Sequence, residues 1–251
     1  MKIGVNWKNL LGILVLVVSQ HAMADYKVIT GRKPLGKGWV YSWTKYSNRK
    51  VPLELGLTVT GTAMKTAPDE MVMISLVPKP KHYVPPFKHF TIDWNPHGHE
   101  PMGIYTVPHY DFHFFTIPHH VVHNITCAGA DAVNCTQAIA APLLPDNYVP
   151  TPEGVPQMGW HWVDVTSPEF NGQPFSSTFI YGYYKGKTAF LEPMVALSFL
   201  QTKPVVTYPV KQQPAVSEDG YYPQNYRVDF NATNDTYNVV FTKLKYRTTG
   251  R

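Results

Sequence analysis

Nine of the eleven histidines fall between positions 82 and 123: His82, His89, His97, His99, His109, His113, His119, His120 and His123. A neutral imidazole nitrogen is the commonest transition-metal ligand among side chains. The density therefore raises metal chemistry, and spacing narrows it. His97-Gly98-His99 sets two imidazoles at i and i+2, on one face of a strand about 6.6 Å apart, with Glu100 adjacent. In His109-Tyr110-Asp111-Phe112-His113, alternation puts His109, Asp111 and His113 on one face and Tyr110, Phe112 and Phe114 on the other. An extended strand separates His109 from His113 by about 13 Å, so the two do not share one ion. A site built on this strand is completed from elsewhere.

His161, within Met158-Gly159-Trp160-His161-Trp162, and Glu192, ahead of Pro193, are the natural supplements. Both sit in apolar surroundings, and a buried carboxylate needs a partner. The candidate metal ligands are thus His99, His109, His113, His161 and Glu192, with His97, Glu100 and Asp111 in support. We expect them in one polar cluster at an aromatic-walled barrel mouth. Two or three His plus one carboxylate with an open position suits a divalent transition metal, and zinc, manganese, iron and nickel are not distinguished by the ligands alone. The competing reading is structural: His109, Asp111 and His113 would form a buried hydrogen-bonded ladder, or Asp111 would orient an imidazole. His82, His89, His119, His120 and His123 read as surface or loop residues. No G-x-S-x-G, P-loop, G-x-G-x-x-G or H-E-x-x-H pattern is present, and no Ser stands out as a nucleophile. No catalytic residue is assigned.

The elements that must carry these residues are short. Leu53, Leu55, Leu57 and Val59 recur at period two within Val51 to Gly61, the pattern of a half-buried strand. Further strands are expected at Met71 to Val77, Lys88 to Trp94 and Val107 to Ile117, the last bracketed by Pro108 and Pro118. A meander follows over Phe175 to Tyr184, Thr188 to Leu191 and Met194 to Leu200, turning at Lys185-Gly186. Tyr226 to Phe230 and Tyr237 to Leu244 close as a hairpin. Pro142 to Pro156 reads as a connector, and the one expected helix is a short one near Gly129 to Ile139. With 23 Pro and 17 Gly spread along the chain and no strand–helix alternation, a doubly wound parallel sheet is disfavoured. The expected fold is mostly β, an antiparallel barrel or sandwich with few short helices. Glu100-Pro101-Met102 and Glu192-Pro193-Met194 echo one another, a weak repeat better read as coincidence.

Residues 1–24 read as a signal peptide: Lys2 and Lys8, an apolar run from Leu10 to Val18, then Ala22-Met23-Ala24 as the cleavage site. Residues 25–251 then form a single β-rich domain, expected to be periplasmic or secreted. Losing the leader lowers the formal charge of +5 by two, too mild for a nucleic-acid footprint. No later apolar stretch suffices to span a membrane. Cys127 and Cys135, the two cysteines, are expected to pair as a disulfide in an oxidising compartment. A small ligand or a homo-oligomer remains open as partner.

Pro96-His97-Gly98-His99-Glu100-Pro101, Gly103-Ile104-Tyr105 and Pro108 through Phe115 resemble an uncharacterised family of secreted bacterial β-proteins carrying a Pro-His-Phe-Asp-Phe-His-Phe-Tyr-like strand. Met158 to Asp164, Tyr181-Gly182, Glu192-Pro193-Met194 and Gly220-Tyr221-Tyr222-Pro223 resemble its later blocks. The family brings no established activity. The H-x-H-carboxylate run also has a cupin-like look, but Glu100 follows the second His immediately, whereas cupins place it several residues on. That likeness is architectural, and a fold alone does not give function. Two function classes follow: a metal-dependent periplasmic enzyme, and a non-catalytic binding or envelope-stress protein whose His cluster is structural. The reading favoured is an exported metal-binding protein with no assigned reaction.

Overall fold

A computed structural model describes Met1 and residues 24–250. The expected leader lies outside the described residues apart from its two end positions. The chain opens with β1 (Tyr26–Leu35), β2 (Gly38–Tyr46), β3 (Pro52–Thr60), the single-turn α1 (Gly61–Thr66), β4 (Val72–Leu76), β5 (His89–Asn95) and β6 (His109–Phe115). Two one-turn helices, α2 (His119–Val122) and α3 (Ala132–Cys135), precede β7 (Tyr148–Pro150), β8 (Trp160–Asp164), β9 (Ser177–Tyr184) and β10 (Lys187–Ala196). After α4 (Leu197–Gln201) come β11 (Val205–Pro209), β12 (Gly220–Tyr222), β13 (Asn225–Asn231), β14 (Thr236–Thr242) and β15 (Lys245–Arg247).

The strands form a six-stranded sheet ordered β1-β2-β3-β14-β13-β11, a seven-stranded sheet ordered β4-β5-β6-β10-β9-β8-β7, and the small pair β12-β15. Every pairing between these strands is antiparallel. The two large sheets pack face to face, as a sandwich. Phe114 of β6 stacks on Phe241 of β14 at 3.8 Å between ring centres, and Phe179 of β9 meets Tyr226 of β13 at 5.3 Å. Leu57, Val59, Val239, Ile92, Phe112 and Leu191 fill the space around these rings. Neither sheet closes on itself among the described residues, so the sandwich half of the expected alternative holds and the barrel half does not.

The seven-stranded sheet is covered on both sides. Every residue of β5 and of β6 is buried. Tyr110, Phe112 and Phe114 face the sandwich core, whereas Phe115, Phe190, Ile180 and Met194 face outward under a second apolar cluster. Tyr105, Val122, Ile125 and Phe175, from the connecting segments, complete that roof. Cys127 and Cys135 lie at disulfide-bonding distance in the same layer, with Cα atoms 5.5 Å apart.

Several boundaries differ from expectation for local reasons. β3 buries Leu55 through Val59 on both faces, because the opposing sheet covers one face and the Trp43 side chain lies over Gly56 and donates to Thr58 on the other. β10 runs unbroken through Pro193, which faces Phe179 of β9; its ladder with β6 lapses at Glu192 and Pro193 and resumes at Met194. A proline lacks the N–H that this ladder needs, so the lapse falls where its chemistry requires. The strand expected to reach Leu200 ends at Ala196 and turns into α4. Glu100-Pro101-Met102 lies in a loop while Glu192-Pro193-Met194 lies in a strand, so the echo is no structural repeat. β1, β2, β7, β8, β11, β12 and β15 have no counterpart among the expected strands. β1 is exposed along much of its length, and Gly31, Arg32, Lys33 and Pro34 hide its alternation. The Lys185-Gly186 turn forms as expected, both residues at positive φ (52° and 68°) in the two-residue geometry that suits strand twist.

Phe241 is fully buried between the sheets. Phe241→Ala is expected to cost about 3–5 kcal/mol in chemical denaturation. Val205→Ala, at an edge position 73% exposed, should stay within about 0.5 kcal/mol.

Candidate metal centre

Antiparallel register delivers the polar residues to the outer face of the seven-stranded sheet. Across β5 and β6, Thr91 faces His113, Asp93 faces Asp111 and Asn95 faces His109. Across β6 and β10, Met194 faces Asp111 and Ala196 faces His109, a register that sets Glu192 opposite His113. On the next strands Ile180 faces Glu192, Gly182 faces Phe190, and His161 of β8 faces Gly182. Gly182 is required here, because a Cβ would overlap the Phe190 ring. That ring occupies the vacated space and packs edge-on against His113 at 5.0 Å and His161 at 4.9 Å, fixing both imidazoles.

Two groups result, each with ligand atoms close enough to surround one ion. In the first, Glu192 Oε1 lies 3.4 Å from His113 Nε2 and Glu192 Oε2 lies 3.5 Å from His161 Nε2. His113 Nδ1 lies 3.3 Å from Asp93 Oδ2 and 3.1 Å from Thr91 Oγ1. In the second, Asp111 Oδ1 lies 3.2 Å from His109 Nε2 and Asp111 Oδ2 lies 3.4 Å from His99 Nε2. Asn95 Nδ2 donates to Asp111 Oδ2 at 2.7 Å. The Nδ1 atoms of His109 and His99 lie 2.7 Å from the carbonyl oxygens of Val107 and Glu100. A carbonyl only accepts, so each Nδ1 carries the proton and each Nε2 is directed at Asp111. This is the arrangement that fixes the tautomer of a metal-binding histidine.

The electrostatics follow from three carboxylates, Asp93, Asp111 and Glu192, each at most 3% exposed. Burial pushes the Glu192 carboxyl up to about 8 against the pull of His113, and burial also raises Asp93. Burial would raise Asp111 too, but the His109 and His99 imidazoles beside it outweigh that and hold it well below the usual range. Burial opposes charge on His113, yet Glu192 and Asp93 lift it to about 9; Asp111 lifts His99 to about 9 in the same way. Burial, then His113 and His99, drive His161 down to about 3. His113 Nε2, Glu192 Oε2 and Asp111 Oδ1 remain buried without a hydrogen-bond partner.

Above this floor opens a cavity of about 1010 Å³. Asp93, Asn95, His99, Asp111, His161 and Glu192 line its base, and Met71, Met73, Tyr105, Val155, Met158 and Met194 are among its walls. Among the described residues no Lys or Arg lines it.

His99, His109, His113, His161, Glu192 and Asp111 therefore converge, but on a roofed sheet face, not in a barrel mouth. His97 does not join them. Residues 96–108 are a loop in which strand parity has no force, and His97 Nε2 turns outward to Asp69 Oδ1 at 3.5 Å. Glu100 is also a rim residue, its carboxylate accepting from the Met102 N–H. Among the histidines read as surface residues, His89 is fully buried at the start of β5, while His120 and His123 are exposed. Asp93, Asn95 and Thr91 were missed, although Thr91-Ile92-Asp93-Trp94-Asn95 carries the same alternation as β6. No family model, curated protein or solved structure matches the chain at a significant level.

In metal-free protein, imidazole NMR should find His99 and His113 titrating near 9 and His161 neutral down to about 3. A raised histidine pKa stabilises the fold below its unfolded value, near 6.5, and that contribution is lost as pH rises through the folded value. Metal-free protein should accordingly lose thermal stability from about pH 6.5 to 9.

Proposed function

We propose that this is an exported metalloprotein that holds a divalent transition metal at His113, His161 and Glu192, on the floor of a ligand-binding cleft. The observation that carries the reading is the convergence of unpartnered polar atoms. His113 Nε2 and Glu192 Oε2 are both shut away from water without a hydrogen-bond partner, and His161 Nε2 points at the same carboxylate. Leaving one such group unpaired costs about 1–3 kcal/mol, which a cation between them removes. Asp93 beside His113 Nδ1 supplies the carboxylate that orients a metal-bound imidazole. Two His and one carboxylate leave coordination positions free, a donor set suited to zinc or non-haem iron. The leader-like residues 1–24 and the Cys127–Cys135 pair support export.

A bound ion would polarise a ligand oxygen or acidify a water at its free position. One observation favours an enzyme over a passive carrier: His99, partly exposed and paired with buried Asp111, sits at the base of the cavity. It is placed to exchange a proton with a ligand lying over the ion. With no Lys or Arg on the walls and the raised His99 imidazole at the base, the ligand class is a small molecule, neutral or carrying a negative group that meets the ion or His99.

Elemental analysis is the direct test. Wild type should carry one ion per chain more than His161→Ala or Glu192→Gln, and His109→Ala should carry as many as wild type. Wild type that holds no metal after incubation with Zn²⁺, Mn²⁺, Fe²⁺ or Ni²⁺ would sink the reading. The proton inventory gives a second check, because burial raises the Glu192 carboxyl and the neighbouring carboxylates raise His113, so the pair carries a proton at neutral pH. The ion must displace it, so Zn²⁺ affinity should rise between about pH 6.5 and 9. Calorimetry in buffers of different ionisation enthalpy should register proton release at neutral pH.

A further inference from the structure

We propose that His89, His119 and His123 form a second metal site, an all-imidazole site that takes a divalent ion of the zinc–copper class independently of the cleft. His89 has no exposed surface, and neither of its ring nitrogens makes a full hydrogen bond, the Ile117 backbone being close enough only to attract the ring weakly. A ring buried only for packing would be better apolar, since an imidazole in that position leaves a donor and an acceptor unsatisfied. What faces it is another imidazole. The His119 ring stands at 84° to His89 with centroids 5.1 Å apart, and His123 stands at 88° to His119 with centroids 4.6 Å apart.

The two consecutive spacings are compatible with shared coordination, and His119 and His123 must turn to bring a nitrogen from all three rings within 4.8 Å of one another. With metal–nitrogen bonds of about 2.1 Å and ring centres about 1.1 Å further on, two imidazoles on a tetrahedral ion lie about 5.2 Å apart, and at a right angle about 4.5 Å. The backbone sets the pair up. The single turn of α2 carries the His123 N–H to the His119 carbonyl at 3.1 Å, so the two side chains share one face at i and i+4. His89 is held from behind, stacked flat on Phe115 at 4.5 Å and 4°. His119 is half-buried and His123 exposed, so both rings can turn to close on an ion against the fixed third.

The donor set differs from that of the cleft. Among the described residues, the histidines at ion-pair distance from a carboxylate are His97, His99, His109, His113 and His161. The second site thus offers three neutral nitrogens and no counter-charge, which suits zinc, copper or nickel over the oxygen-seeking cations. Phe115 also stacks on His113 at 5.4 Å, so one ring lies between the two sites.

The experiment titrates Zn²⁺ or Cu²⁺ into metal-stripped Glu192→Gln protein, in which the cleft group is disabled. Saturable binding at micromolar affinity or tighter is expected, with three nitrogen ligands in the Cu²⁺ electron paramagnetic resonance spectrum. Adding His119→Ala with His123→Ala should weaken it by roughly tenfold or more. His89→Phe, which keeps a flat ring on Phe115 and so guards against misfolding, should weaken it as much and remove one nitrogen from the spectrum. His82→Ala should change neither. The proposal is overturned if Glu192→Gln protein binds neither ion, or if either His89→Phe or the His119/His123 double variant leaves affinity and spectrum unchanged. Should Glu192→Gln fail to fold, the same substitutions in wild type must lower the Zn²⁺ stoichiometry by one, and an unchanged stoichiometry overturns the proposal equally. Wild type and Glu192→Gln binding equal numbers of ions would instead count against the cleft reading alone.

Discussion

The burial of three carboxyl groups is the constraint around which this molecule is arranged. Asp93, Asp111 and Glu192 come from three neighbouring strands and point to one side of one sheet. Taking a carboxylate out of water without a partner costs more than any single packing contact returns. The sheet answers with imidazoles. His109 and His113 sit on the same face of the same strand, His99 reaches in from the 96–108 loop, and His161 arrives two strands away from Glu192. Asn95 adds a neutral donor to Asp111. Even so, orphaned acceptors remain. The protein holds a concentrated polar cluster whose hydrogen-bonding capacity its own side chains satisfy only in part.

Such a cluster survives only where water is limited but a ligand can enter, and the architecture supplies both conditions. An exposed outer face would screen the charges, while a fully packed one would seal them. Connecting segments bearing Tyr105, Phe175 and Val122 cover part of the face with apolar surface. Tyr105 is itself tied down by donating to Glu169 at 3.1 Å. The uncovered remainder is the cleft. Met71, Met73, Met158 and Met194 line it, side chains whose flexible thioethers adapt to varied occupants.

Much of this was legible because a strand's side-chain period is an integer. Tyr110, Phe112 and Phe114 announce a core face, and His109, Asp111 and His113 its opposite, without reference to any other segment. Glu192 and His161 were legible only as polar residues in apolar company; register, which is non-local, makes them neighbours of His113. The same parity applied to His97 and His99 misled, since Pro96 and Gly98 belong to a loop with no alternation. Asp93 escaped notice because it is one carboxylate in an otherwise ordinary strand, and only pairing with β6 discloses its role. The outward placement of the cluster was not readable at all. It depends on which sheet face meets the second sheet, and in β5 and β6 both faces are buried.

That double burial of β6 bears on what change the chain can absorb over evolutionary time. Point substitutions on one face leave the other intact, so packing and chemistry can drift separately. A single-residue insertion or deletion within His109–Phe115 cannot be so confined. It would rotate every side chain beyond it to the opposite face, sending phenyl rings toward the cleft and histidines and Asp111 into the hydrophobic interior. Length variation among descendants of this sequence should therefore gather in the loops on either side of the strand, while the seven-residue span itself stays fixed in length.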